Sequence, residues 1–69
     1  MSNSVYKKIE IVGTSSKSQE DAIESAIAKA AETVHNMRWF EVVESRGAIR
    51  DGKVDQYQVT LAIGFKLDD

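Results

Sequence analysis

The chain holds one tryptophan, Trp39, within the stretch Arg38-Trp39-Phe40-Glu41-Val42-Val43-Glu44-Ser45-Arg46-Gly47. The stretch alternates like a β-strand. Phe40 and Val42 fall on one side, and Trp39, Glu41, Val43 and Ser45 on the other. The indole therefore points away from the apolar partners of its own strand. A side chain that large on the outer side of a small protein needs cover, from a partner subunit or a flat ligand. Geometry alone favours a subunit contact. The chemistry on offer is stacking and hydrogen bonding, with Gln58 supplying an amide that both donates and accepts. No side chain is an evident general base, nucleophile or metal-ligand set. His35, the only histidine, belongs by pattern to the last turn of a helix, where positive charge suits the helix dipole. It has no recognisable nucleophile or carboxylate to work with, so it reads as structural or exposed. With no cysteine and one histidine, a thiolate or histidine metal cluster within one chain is excluded. Tyr6 and Tyr57 could be redox relays, but aromatics on strands usually pack.

The elements that must carry these residues follow from pattern. Val5 to Val12 alternates as a strand, with Ile9 and Ile11 on one side and Lys8 and Glu10 on the other. Gly13 to Ser18 is a turn cluster, and a plain strand-to-helix turn fits it better than a phosphate cradle. Ser18 is an N-cap, with Asp21 completing a variant capping box. A helix then runs to about Asn36, its stripe formed by Ile23, Ile27, Ala30, Val34 and Met37 beside Ala26 and Ala31. The Trp39 strand ends at Asp51-Gly52, a strong hairpin signal. The return strand, Val54 to Leu67, shows Tyr57, Val59, Leu61, Ile63, Phe65 and Leu67 on one face. A two-residue turn pairs Phe40 with Ile63, Val42 with Leu61 and Trp39 with Gly64, so core meets core. Gln58 then lies near Ser45, six residues or roughly 20 Å along the strand from Trp39. One subunit cannot bring both to one small ligand, so a shared ligand requires a site built across subunits.

The predicted fold is α+β: a β-α-β-β chain with a three-stranded antiparallel sheet in order 1-3-2 and one helix on one face. The single helix leaves the other face for water, a partner or a ligand. Sixty-nine residues make one domain, residues 1–69, with a core marginal for a monomer. Disulfides are absent, which leaves oligomerisation as the staple. Net charge is −2 with mixed signs, against a nucleic-acid surface or a membrane patch. No leader, long apolar run or lipidation motif stands out, and a cytoplasmic location is the expectation. Met1 to Ser4 reads as a frayed start, and Asp68-Asp69 as an acidic tail.

The chain resembles the dodecins, small flavin-binding proteins. The matching pieces are Glu10-Ile11-Val12-Gly13-Thr14-Ser15, Trp39-Phe40-Glu41-Val42, Arg46-Gly47, Tyr57-Gln58-Val59 and Gly64-Phe65-Lys66-Leu67, in the family's order across nearly the whole chain. The resemblance implies a hollow homododecamer holding flavins, FMN or riboflavin, stacked in pairs between tryptophans. It implies storage and sequestration without turnover chemistry. Trp39 would be the stacking residue and Gln58 the amide on the flavin's polar edge. Arg46 and Lys66 would be the basic positions near the phosphate-bearing side chain. Bacterial members often carry arginine where Lys66 stands, and an acidic residue is common where Arg38 stands. Both departures bear on phosphate preference and site electrostatics and leave the stacking residue and Gln58 untouched.

Simple alternation puts Arg46 on the Tyr57 side, away from Gln58. A bulge near Ser45-Arg46-Gly47, or a ligand belonging to a neighbouring subunit, would bring it to the site. Alternative readings are a homo-oligomeric scaffold whose Trp39 face only joins subunits, or a flavoenzyme subunit. The chain lacks a nicotinamide-binding fingerprint, which weighs against the latter. Some relatives of the family also bind coenzyme A, for which Lys7, Lys8 and Lys29 would be the basic residues.

Overall fold

The computed structural model describes residues 3–67. Met1 and Ser2 of the expected frayed start, and the acidic pair Asp68 and Asp69, lie outside them. Strand β1 (Tyr6–Ser15), helix α1 (Gln19–Ala30), strand β2 (Met37–Arg50) and strand β3 (Lys53–Lys66) follow in order. The sheet order is β1-β3-β2, and both pairings are antiparallel. The β-α-β-β architecture is the predicted one. The crossover helix is what returns β2 parallel to β1, so that β3 fills the gap between them.

Ser18 caps the helix as predicted: its hydroxyl oxygen accepts from the Asp21 backbone N–H at 3.0 Å. Asp21 does not complete the box directly. Its carboxylate accepts from Ser15 Oγ at 2.7 Å. Ser15 Oγ in turn accepts from the backbone N–H groups of Lys17 at 2.9 Å and Ser18 at 3.4 Å. The turn's donors are thus spent on its own closure, as a plain strand-to-helix connection requires. Replacing Ser18 with alanine is expected to cost about 1 kcal/mol. Faster amide exchange across the first helical turn, at an unchanged oligomeric size, would register it.

The helix ends earlier than its apolar stripe suggests. It stops at Ala30, and Glu32 and Thr33 donate to the carbonyls of Lys29 and Ala30 in tightened i→i+3 bonds. Asn36 then takes a left-handed conformation (φ 65°) that turns the chain into β2. Val34, Met37 and His35 therefore lie beyond the helix, and His35 is exposed in the connection, not in a helical last turn. β1, by contrast, runs three residues past Val12, through Ser15.

The core is small: Ala22 and Ala26 of the helix against Val59 and Leu61 of β3, with Ile11, Ile23 and Ile27 packed around them. Gly13 permits this closeness. A Cβ there would fall on the Ala22 carbonyl oxygen and 2.8 Å from Ala26 Cβ. The helix consequently sits over β1 and β3 and away from β2. Phe40 and Val42 face the helix side as predicted, but remain 47 % and 48 % exposed. They are core by alternation and not by burial: Ile23 and Ile27 of the helix border Phe40 across a shallow depression without covering it.

The hairpin has the predicted two-residue turn, with Asp51 (φ 54°) and Gly52 (φ 75°) both left-handed and Arg50 opposite Lys53. Phe40 pairs with Ile63, Val42 with Leu61 and Trp39 with Gly64, all as predicted. Between turn and tryptophan the register departs from simple alternation. Pairing steps from Ile49–Val54 to Ala48–Gln56, passing over Asp55, and from Val42–Leu61 to Glu44–Thr60, passing over Val43. Of these two, one lies on each strand, so the second undoes the shift of the first; a further step lies beyond the tryptophan, where pairing passes over Arg38 from Trp39–Gly64 to Met37–Phe65.

Candidate functional site

The face away from the helix is the one that alternation assigns to Trp39. Val59, Leu61 and Ile63 are buried on the helix side, so Gln58, Thr60, Ala62 and Gly64 look the other way. From β1 this face receives Tyr6, Lys8, Glu10, Val12 and Thr14, opposite Lys66, Gly64, Ala62, Thr60 and Gln58 respectively.

The paired bulges decide where Arg46 goes. Within the shifted segment Arg46 lies directly opposite Gln58, and Ser45 opposite Val59. Arg46 is therefore on the Gln58 face, which corrects the simple alternation that set it beside Tyr57. Ser45 is moved the other way, to the helix side, where its hydroxyl accepts from Gln19 Nε2. A bulge does shift the phase of Arg46, though it lies at Val43, a little before the expected Ser45-Arg46-Gly47. Gln58 itself is half-buried, and its Nε2 donates to Gln56 Oε1 at 3.2 Å.

Trp39 lies flat on the sheet. A Cβ on Gly64 would clash with the face of the indole's six-membered ring, at Cε2, Cζ2 and Cη2, so glycine is the floor on which the ring rests. Tyr6 meets the indole edge-on, with centroids 5.3 Å apart and planes at 61°. The indole Nε1–H donates to Glu41 Oε2 at 2.8 Å. Lys8 Nζ reaches the same carboxylate, 3.1 Å from Oε2 and 3.2 Å from Oε1. The hydrogen bond from Trp39, followed by that from Lys8, lowers the Glu41 carboxyl below its ordinary range. With all this around it, Trp39 is still 40 % exposed. A shallow apolar depression runs from the indole over the β2 edge to the helix, along Met37, Arg38, Phe40, Ile63 and Ile27.

The four sequence-predicted site residues thus share one face but not one place. Lys66, opposite Tyr6, stands two residues along β3 from the floor of the indole. Arg46 and Gln58 stand together six residues from that floor, about 20 Å at the strand rise. Pairing between β1 and β3 is regular throughout, so nothing shortens that span. Neither Arg46 nor Lys66 forms an ion pair among the described residues. Glu41, Lys8 and Tyr6 are the neighbours that sequence reasoning did not assign to Trp39. The i, i+2 spacing of Trp39 and Glu41 was a readable signal for the first of them. Among the described residues no group of three or more histidine, aspartate or glutamate side chains is placed to hold a metal ion, and no helix is long and apolar enough to cross a membrane.

A flat aromatic on a glycine floor, on the uncovered face of a β-α-β-β sheet, defines a small binding or assembly subunit with its surface turned outward. Comparison with known proteins gives the family. The dodecin family model matches residues 5–68, and the chain belongs to the dodecin family. It is 49 % identical over 65 residues to the dodecin of Thermus thermophilus, covering 94 % of each chain. It superposes on the solved dodecin of Streptomyces coelicolor with a TM-score of 0.93 at 42 % identity, covering 100 % of this chain and 99 % of that one. It is also 36 % identical over 64 residues to the calcium dodecin of Mycobacterium tuberculosis, covering 93 % of this chain and 90 % of that relative.

Proposed function

We propose that this chain binds a flavin, FMN or riboflavin, without turning it over, and stores it at sites built between subunits of a homododecamer. The observation that carries the reading is the indole of Trp39, laid flat on Gly64 with its outer side left open. That is the shape an isoalloxazine stacks on, through dispersion and loss of water from both surfaces. Gln58 supplies the donor and acceptor for the ring's polar edge, and Arg46 and Lys66 the charge for a phosphate-bearing side chain. A bound flavin supplies a photo-excitable ring, and the stacked indole is a good electron donor that quenches it.

Two features support assembly across subunits. The span of about 20 Å between the indole's floor and Gln58 is too long for one small ring to bridge within a chain. The exposed large apolar side chains are also many for so short a chain: Val12, Phe40, Val42, Val43, Ile49 and Val54 are each about half or more open. No observation of this kind favours coenzyme A. Lys29 pairs with Glu32 at 3.4 Å and Lys8 with Glu41, which leaves Lys7 alone of the basic residues considered for it.

The phosphate assignment separates two ligands. Arg46→Ala and Lys66→Ala are each expected to weaken FMN roughly tenfold, the loss of a charge-assisted contact, and to leave riboflavin nearly unchanged. Paired titrations of both ligands check this. Equal losses for FMN and riboflavin would remove the phosphate role.

A further inference from the structure

We propose that Glu41 and Lys8 are positioning residues for the stacking surface: together they select the orientation in which the indole of Trp39 lies on Gly64 and hold the Glu41 carboxylate against its N–H. The consequence for ligand binding rests on the flavin reading, but the positioning itself does not.

The glycine floor explains why a positioning residue is needed. Gly64 lets the ring lie flat but offers no side chain to choose between the two ways of laying it down. The indole's last torsion is broad and roughly two-fold, so the floor alone leaves both orientations open. The ring has a single hydrogen-bond donor, which breaks the tie. Glu41, two residues along β2 on the same face, takes that N–H at 2.8 Å. A bond to an ionised acceptor is stronger than one to a neutral group.

Glu41 is long and exposed, and would hold nothing fixed by itself. Lys8 supplies the second anchor from β1, on the far side of β3, with Nζ within 3.2 Å of both carboxylate oxygens. Lys8, Gly64 and Trp39 form one row across the three strands, and Glu10, Ala62 and Glu41 the next. The charge thus crosses the sheet over two residues small enough to let it pass, Gly64 and Ala62. Tyr6 closes the remaining side edge-on. The other titratable groups facing Glu41 are Glu10 from β1, Lys66 from β3, and Glu44 and Arg46 further along β2; the helix lies on the opposite face.

The lowered carboxyl of Glu41 fixes the sign of the pH response. Its folded-state value lies below the unfolded one. The stabilisation is therefore present above the unfolded value and is lost as pH falls through the lowered one.

Trp39 is the only tryptophan, so an indole-labelled, ligand-free protein gives one N–H resonance to follow. That resonance is expected downfield, protected from solvent, and moving upfield as pH falls below the ordinary carboxylate range. Glu41→Gln keeps an acceptor and should retain protection while losing the pH response. Glu41→Ala should speed exchange roughly tenfold or more. Lys8→Met should raise the pH midpoint of the shift. On the loaded protein, Glu41→Ala should weaken flavin several-fold and Glu41→Gln much less. An indole whose shift, exchange and pH response are the same in Glu41→Ala as in the parent, at unchanged size, overturns the proposal. Indole results as expected in a protein that takes no flavin would instead uphold the positioning and remove the flavin reading.

Discussion

Trp39→Ala should lower flavin affinity roughly a hundredfold and leave the assembly intact. Stacking an aromatic ring on a flat ligand contributes about 1–3 kcal/mol by alanine substitution, and the upper end corresponds to about a hundredfold. The upper end applies because the ring is pre-placed. Gly64 beneath it, Glu41 on its N–H and Tyr6 at its edge have already restricted it before a ligand arrives. The assembly should survive because the indole is only one of many open apolar side chains. Phe40, Val42 and Val43 on the same strand, and Ile49 and Val54 near the hairpin turn, remain. Flavin titration and sizing on the same sample separate the readings. Lost binding with retained size supports a ligand surface, whereas a variant that falls apart makes Trp39 a subunit contact.

The second large effect is on the fold. Gly13→Val should cost about 3 kcal/mol, the upper range for forcing atoms into a packed core. Its Cβ has nowhere to go. The Ala22 carbonyl oxygen occupies its place, the Ala22 carbonyl carbon is 3.0 Å away and Ala26 Cβ 2.8 Å. None of these is the far end of a flexible side chain. The helix has to lift from β1, and Ala22 and Ala26 carry the core with them. For a chain this short that is a large share of the whole. Denaturant unfolding followed with sizing measures it, with Gly13→Ala expected in between. A valine variant that unfolds where the parent does would mean the helix sits farther from β1 than described.

Much of this was legible in the residues. Asp51-Gly52 set the hairpin, and a two-residue turn fixes the register at its start; the pairing of Trp39 with Gly64 follows because the two bulges in between cancel. The alternation of β3 told its two faces apart, since a full apolar row from Tyr57 to Leu67 has one physical use. What could not be read was where alternation breaks. Val43 follows Val42, and skipping one of two adjacent valines leaves no mark on the pattern. Asp55 is as ordinary in a strand as beside one. Their shifts cancel, so the pairing from Trp39 to Val42 and that beside the turn match the simple register, the stretch between them, with Arg46 and Ser45, is displaced, and a further step past Arg38 displaces Met37. The helix end was hidden for a related reason. Val34 and Met37 continue the stripe in sequence, while the left-handed Asn36 stops it in space. The exposure of Phe40 and Val42 needed three dimensions, because it follows from how closely Gly13 draws the helix toward β1. The Trp39–Glu41 contact was within reach of strand spacing alone, but Lys8 needed the β1 register, which only the pairing with β3 supplies.

Flavin storage on the Trp39 face is tested by fluorescence titration of the purified, flavin-stripped protein, with FMN and riboflavin side by side. Saturable quenching at about one flavin per chain is expected, with FMN the tighter ligand through Arg46 and Lys66. Absence of quenching by either flavin, in a sample shown by sizing to be assembled, would contradict it and leave the outward face of Trp39 as a contact between subunits.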